Sequence, residues 1–190
     1  MFMNRVHYGH RIGTLNENMK WALYGERLGV CIFDLEITRK YMVRALEFLA
    51  HMAARGAVIL FVTADKTNML MVEKMALSAG HYAHVRKWEP DTLDIKLKVG
   101  ITARAPDLIV LLSVQNSLLG PHPAIYEAAR KPIPTIGICD SNANPRMVTY
   151  PIPGNDDSPT AVHYYMTLFL EAIKRGEQNP MQNKHGEWVW

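Results

Sequence analysis

Cysteine is scarce in this chain: Cys31 and Cys139 are the only two among 190 residues. That count excludes a disulfide framework and a cysteine-built zinc centre. Each thiol lies within an apolar run, so both are expected to be buried and reduced. Long hydrophobic runs are absent as well. Nothing approaches the roughly 18–20 apolar residues that span a bilayer, and no charged-then-apolar segment opens the chain, so no membrane contact is expected. Neither charge dominates. Lys and Arg number 21 against 18 Asp and Glu, a formal net charge of +3 with a pI near 8.8, which permits local contact with nucleic acid but falls short of a chain that wraps RNA by itself. The usual catalytic spellings are missing too. There is no GxGxxG, no GxxxxGK[ST] and no G-x-S-x-G elbow, and neither cysteine has a histidine at a spacing that suggests a nucleophile and its base. No catalytic residue, metal, cofactor or small-molecule substrate is expected.

What the chain has is an ordinary globular composition, 48% hydrophobic, enough to bury one good core. From residue 30 onward, short apolar runs alternate with stretches of helical period, the pattern of βαβ units and of a parallel sheet covered on both faces. The expected strands are 30–35, 57–63, 82–85, 107–113 and 134–140. Four helices are expected. Thr38 caps one whose inward face carries Tyr41, Met42, Ala45, Leu46, Leu49 and Met52, and Asn68 caps one bearing Leu70, Met71, Met75 and Ala79. A third covers 123–131, opening on proline and ending before Pro132. For the fourth, Gly154 turns the chain, Ser158 caps, Pro159 takes the first helical position, and Val162, Tyr165, Met166, Phe169, Ala172 and Ile173 form the inward stripe. The chain thus divides into an N-terminal contacting segment (1–29), an α/β sheet domain (30–175) with a basic surface loop (86–106), and a C-terminal tail (176–190).

His7-Tyr8-Gly9-His10 spells the HxGH tetrapeptide that some nucleotidyltransferases use to grip ATP phosphates. Such a site needs a strand before it and a helix after it. Only six residues precede His7, and residues 11–29 show no sustained helical period, which speaks against the ATP reading without closing it. In an open parallel sheet, ligands sit beyond the carboxyl ends of the strands, which directs attention to Asp34, the 63–68 loop with Lys66, Ser113–Asn116 and Asp140–Asn144. Asp34 and Asp140 could share a hard cation, but both also read as strand-ending turns. Asp156 and Asp157 sit where the dipole of the following helix favours acids. His81 and His84, three apart on a strand, point to opposite faces. What remains is a distributed set able to touch phosphate and sugar: Arg5, His7, His10, Arg11, Lys20, Arg27, Arg86, Lys87, Lys96, Lys98 and Arg104, with Tyr24 and Trp88 as stacking candidates.

Taken in order and spacing, VHYGHRIGTLNENM, YGERLGVCIFDLEIT, RGAVILFVT, PDLIVLLS, IPTIGICDSNANP and PIPGNDD resemble the S2 family of small-subunit ribosomal proteins over roughly residues 6–175. The wording around YAHVRKW and NPRMVTYPIPGNDDSPTAVHYY is most similar to the mitochondrial branch found in animals. The resemblance implies a flavodoxin-like parallel sheet of strand order 2-1-3-4-5 flanked by helices, no catalytic activity, and a place in the mitochondrial small subunit touching its rRNA and neighbouring ribosomal proteins. It assigns Gly9, Asp34, Asp140, Asn142, Pro145, Pro153, Gly154, Asn155, Asp156 and Asp157 to structural motifs. In bacteria the family also helps seat the mRNA-binding protein S1. Bacterial members carry a coiled-coil hairpin between the third and fourth strands, where this chain has only about 20 residues, so that arm is expected to be absent. Trp88 matches the family's tryptophan, but the Gly-Gly that follows it there is WEPDTLDIK here, so the path of this loop is not carried over.

Overall fold

A computed structural model describes residues 1–93, 104–115 and 120–179. Lys96, Lys98, Asn116, the middle of the 86–106 loop and the tail beyond residue 179 lie outside the described residues. Two sheets are present. Strands β1 (Tyr8–Arg11), β2 (Leu23–Arg27) and β3 (Val30–Phe33) form an antiparallel sheet in the order β1-β3-β2. Strands β4 (Ile59–Val62), β5 (Tyr82–His84), β6 (Leu108–Leu111), β7 (Thr135–Cys139) and β8 (Tyr150–Pro153) form a parallel sheet in the order β5-β4-β6-β7-β8. Counted along the parallel sheet alone, this is the expected 2-1-3-4-5.

The membership of that sheet differs from expectation at both ends. The 30–33 run pairs with β1 and β2 through antiparallel ladders, because the two-residue turn at Leu28 and Gly29, both at positive φ (52° and 78°), folds β2 straight back onto β3 as primed hairpin turns do. The fifth parallel strand is β8, a Tyr-Pro-Ile-Pro run that its prolines disguise. Register explains how they fit. The amide of Gly154 donates to the Cys139 carbonyl (3.1 Å), so residues of the same parity point their N–H groups at β7. Pro151 and Pro153 have the other parity and sit on the outer edge, where a missing donor costs nothing.

Strand alternation serves two cores. On one face Ile59, Phe61, Leu108, Val110, Ile136 and Ile138 pack under helices α1 (Leu35–Ala54), α2 (Met69–Ser78) and α4 (Pro159–Gln178). On the other, Val62, Ile109, Leu111 and Cys139 pack with α3 (Pro123–Arg130), Trp88 and residues of the N-terminal sheet. Burial on both faces is what their near-continuous apolarity implies.

The expected stripe of α4 is met in full: Val162, Tyr165, Met166, Phe169, Ala172 and Ile173 are all buried. The first helix starts earlier than expected. Asp34, not Thr38, occupies its N-cap and accepts from the amides of Glu36 (2.8 Å) and Ile37 (3.4 Å), while Thr38 is buried and returns its hydroxyl to the Asp34 carbonyl. In α2 the buried positions are Val72 and Ala76, and Leu70 faces solvent; a ten-residue helix leaning on a sheet edge needs only a narrow apolar stripe. Both cysteines are buried and unpaired.

Candidate functional site

The segments that set the sequence apart meet at one place, the carboxyl end of the parallel sheet. Asp140 and Ser141 follow β7 directly, Gly154–Asp157 follow β8, and strand β1 lies across them. The His10 amide donates to Ser141 Oγ (2.8 Å) and Asp140 Oδ1 (3.2 Å), and the Asn16 amide donates to the Ser141 carbonyl (2.8 Å). Gly9 makes the approach possible: a Cβ there would stand 2.9 Å from Ser141 Oγ and 3.2 Å from Cys31 Cβ. Asn155 completes the seat. Its amide donates to the Val6 carbonyl (3.1 Å), its Nδ2 to the Arg5 carbonyl (2.9 Å), and its Oδ1 accepts from the amides of Asp157 and Ser158.

Within this seat His10 bridges two carboxylates, with Nδ1 3.2 Å from Asp140 Oδ2 and Nε2 3.4 Å from Asp157 Oδ2. The hydrogen bond to buried Asp140, reinforced by the charges of Asp140, Asp157 and Asp156 against the cost of burial, raises the imidazole pKa to about 9. Asp156 is pushed well above the ordinary carboxylate range by burial and by the Asp140 charge. The cluster therefore binds more protons at neutral pH than the same groups in an unfolded chain. Three residues of the HxGH spelling, Tyr8 to His10, lie in β1, and His10 ties that strand to the parallel sheet. Tyr165, buried beneath, points its hydroxyl at Gly154, where a Cβ would come within 2.5 Å of it. Gly154 bends the chain after β8, as expected, and a glycine is required for this close approach and not for a left-handed backbone, since its φ is not positive.

One imidazole nitrogen and carboxylate oxygens of Asp140, Asp156 and Asp157 all lie within 4.8 Å of one another, a donor set that suits a divalent cation such as zinc or magnesium. The sequence reading missed this set because its search for ligands used local spacing, whereas His10 and Asp140 stand 130 residues apart. Asp34, which could have shared a cation with Asp140, caps α1 instead, in keeping with its reading as a strand-ending turn, and is not in this group. Lys66 is exposed, and the start of α2 is already supplied with an acid: Asp65 accepts from the Thr67 amide (2.9 Å) and from Asn68 Nδ2, an arrangement that repels a phosphate.

The basic candidates fall into two groups. Arg5, Arg11, Lys20 and Arg27 are exposed on the N-terminal sheet and its flanks. Arg11 and Arg27 both pair with Val30, one from each side, so the three occupy one row on one face of the sheet. Tyr24, 83% exposed, sits at the register shift of β2, a bulge position that turns a side chain outward. Arg86 and Lys87 are exposed just beyond β5. Arg104 is exposed too, with its guanidinium on Asp107 (2.8 Å).

Two candidates are corrected by burial. His7 is buried, stacked on Phe2 at a ring-centroid distance of 4.4 Å, with the Tyr8 ring 4.2 Å away and tilted by 36°. Trp88 is 7% exposed and cannot stack on a base. Its indole donates to Glu127 Oε1 (2.9 Å), and the Asp91 and Leu93 amides donate to the same carboxylate. This one buried side chain holds the start of the basic loop. His122 beside it caps α3 through Nδ1, and burial lowers its pKa to about 4, which keeps that acceptor unprotonated. Glu127→Ala is expected to free the loop at a cost of about 1–2 kcal/mol, read as faster amide exchange at Asp91 and Leu93 and a red-shifted Trp88 emission. Unchanged exchange there would remove Glu127 as the anchor.

The sequence model of the family described as ribosomal protein S2 matches this chain in two pieces, residues 1–100 and 93–176. The chain is 42% identical over 183 residues to the small ribosomal subunit protein uS2m of Bos taurus, covering 96% of this chain and 62% of that protein. It is 30% identical over 202 residues to the uS2m protein of Neurospora crassa (94% and 46% of the two chains) and 27% identical over 220 residues to the uS2 protein of Zymomonas mobilis (93% and 86%). The chain thus spans less than two thirds of the length of either mitochondrial relative. The Zymomonas alignment is longer than the 190 residues of this chain, so that relative carries inserted residues that this chain lacks.

Proposed function

The chain belongs to the ribosomal protein S2 family, and we propose that it serves as a structural constituent of the mitochondrial small ribosomal subunit, holding rRNA and neighbouring ribosomal proteins without catalysing a reaction. The observation that carries this reading is the occupied carboxyl end of the sheet. In a ligand-binding α/β fold that edge is left open for substrate or nucleotide. Here β1 and residues 16–22 cover it through Gly9, His10 and Asn16, and the same packing displays Arg11, Tyr24 and Arg27 outward. The chain's modest net charge suits this role, because each phosphate contact needs only a local cation. A mitochondrial address is supported by the bovine and Neurospora relatives, both named as mitochondrial proteins.

Sedimentation of the endogenous protein from a mitochondrial lysate, with and without nuclease, tests the reading. Comigration with small-subunit rRNA that is lost on digestion is expected; a light peak indifferent to nuclease would overturn it. Within that frame, reversing Arg86 and Lys87 to Glu is expected to reduce incorporation roughly tenfold, or about 1.4 kcal/mol, through two lost phosphate contacts, while the melting temperature of the isolated chain stays within about 2 °C because both side chains are exposed. Normal incorporation of the double variant would take this loop off the RNA-facing surface.

A further inference from the structure

Trp21 carries an aromatic surface that the family reading does not use. It lies in the 3-10 segment Glu17–Ala22 that leads into β2, and its indole N–H donates to the Asn18 carbonyl (2.7 Å), which fixes the ring. One side rests against Tyr41 of α1, with centroids 4.8 Å apart and planes at 43°. Even so, 41% of the residue is open to solvent. The two rings form a wall of a cleft of about 500 Å³ whose other walls include Pro145, Arg146, Lys20 and Glu17. That volume lies within the range of about 300–1,000 Å³ typical of ligand clefts.

The charges around the cleft decide what fits it. Arg146 is exposed, and its backbone amide donates a hydrogen bond to Asn144 Oδ1 (3.1 Å). Arg44 stands over the Tyr41 ring, 5.6 Å from its centroid. Glu17 is the acid in the lining, and Lys20 neutralises it at 2.7 Å. Arg146 and the paired Lys20 thus flank a fixed, half-open indole. A planar base can stack on that indole while Arg146 takes a flanking phosphate, the arrangement by which proteins hold unpaired nucleotides. A proline-rich peptide would use the same rings but would leave Arg146 unanswered.

We propose that the cleft between Trp21, Tyr41 and Arg146 is a stacking site for one unpaired nucleotide of an RNA strand. This inference rests on the ribosomal reading for the identity of the RNA, but not for the chemistry of the site. The test uses the full chain and a fluorescein-labelled pentameric oligoadenylate at low salt, followed by anisotropy. Trp21→Phe is expected to retain binding and Trp21→Ala to weaken it roughly tenfold, the scale of one lost base stack. Arg146→Glu is expected to weaken it by a similar factor and to flatten its salt dependence. An RNA duplex of the same length should compete poorly. Equal affinities for Trp21→Ala and the unaltered chain, or equal competition by the duplex, would sink the proposal.

A second measurement separates this site from the ribosomal reading. In small subunits carrying 4-thiouridine, irradiation should crosslink the peptide containing Trp21 to rRNA. If the chain cosediments with the subunit and no rRNA crosslink forms at that peptide, the stacking site fails and the ribosomal reading stands. If the chain does not cosediment but oligoadenylate binding still requires Trp21, the ribosomal reading fails and the site stands.

Discussion

Exchange of His10 for alanine is expected to lower the melting temperature of the isolated chain by roughly 6–12 °C, the equivalent of about 3 kcal/mol in a protein of this size. Among the described residues, the His10 imidazolium is the cation set against Asp140, Asp156 and Asp157, and Asp140 is almost entirely buried (1% side-chain exposure). Without the imidazolium, buried Asp140 and Asp156 face each other in a poorly solvated pocket, with exposed Asp157 at its rim, and β1 loses a side-chain tie to the sheet. The effect carries a pH signature. The folded pKa of His10, about 9, lies above its unfolded value near 6.5, so the stabilisation is complete below about pH 6.5 and fades as the pH rises through 9. Asp156 acts in the same direction, since a carboxyl whose pKa is raised on folding also favours the protonated native state. The gap in melting temperature between the unaltered chain and His10→Ala should therefore be widest in mild acid and narrow towards pH 10. A gap that stays constant across that range would show that His10 acts by packing and not by charge.

Gly176→Ala is expected to destabilise the fold by about 2–3 kcal/mol, although in an exposed helix the same change gains about 1 kcal/mol. The reason is the crossing of α1 and α4. A Cβ on Gly176 would stand 2.2 Å from the Ala50 carbonyl oxygen and 3.0 Å from Ala53 Cβ. The first contact is backbone, which has no rotamer by which to move aside. Relief requires the two helices to separate, and that loosens Leu49 and Ala53 of α1 against Ala172 and Ile173 of α4 in the core. Urea denaturation measures it directly. The midpoint should fall while the slope is unchanged, because the surface exposed on unfolding is nearly the same. A midpoint equal to or above that of the unaltered chain would mean that the helices do not cross this closely in solution.

Residue by residue, the legible parts of the molecule are those governed by local pattern. The inward stripe of α4 follows from a period of 3.6 after Ser158 and Pro159. The central strands follow from apolar runs too long to have one wet face. The exposure of the basic residues at 86 and 87 follows from their own charge, although Val85 and Trp88 on either side are buried. Asp34 was visible as a strand-ending acid, and only its use as the cap of α1 in place of Thr38 needed coordinates. Trp21 shows the limit most plainly. Its sequence neighbours distinguish it from Trp88 no better than chance, yet one ring ends half-open over Tyr41 and the other lies beneath its loop on Glu127.

By itself, then, the sequence determined the class of fold, the strand order of the parallel sheet through its resemblance to the S2 family, and the identities of the motifs at Gly9–His10, Asp140–Asn144 and Gly154–Asp157. Tertiary structure decided which strands belong to that sheet, admitting the Tyr-Pro-Ile-Pro run and diverting Val30–Phe33 to the N-terminal sheet. It also decided that residues 130 apart along the chain converge into one proton-holding seat. The physical reason is the same in each case. Periodicity and turn chemistry act over a few residues and are written in the chain, whereas strand pairing, burial and charge proximity depend on what arrives from elsewhere once the chain has folded.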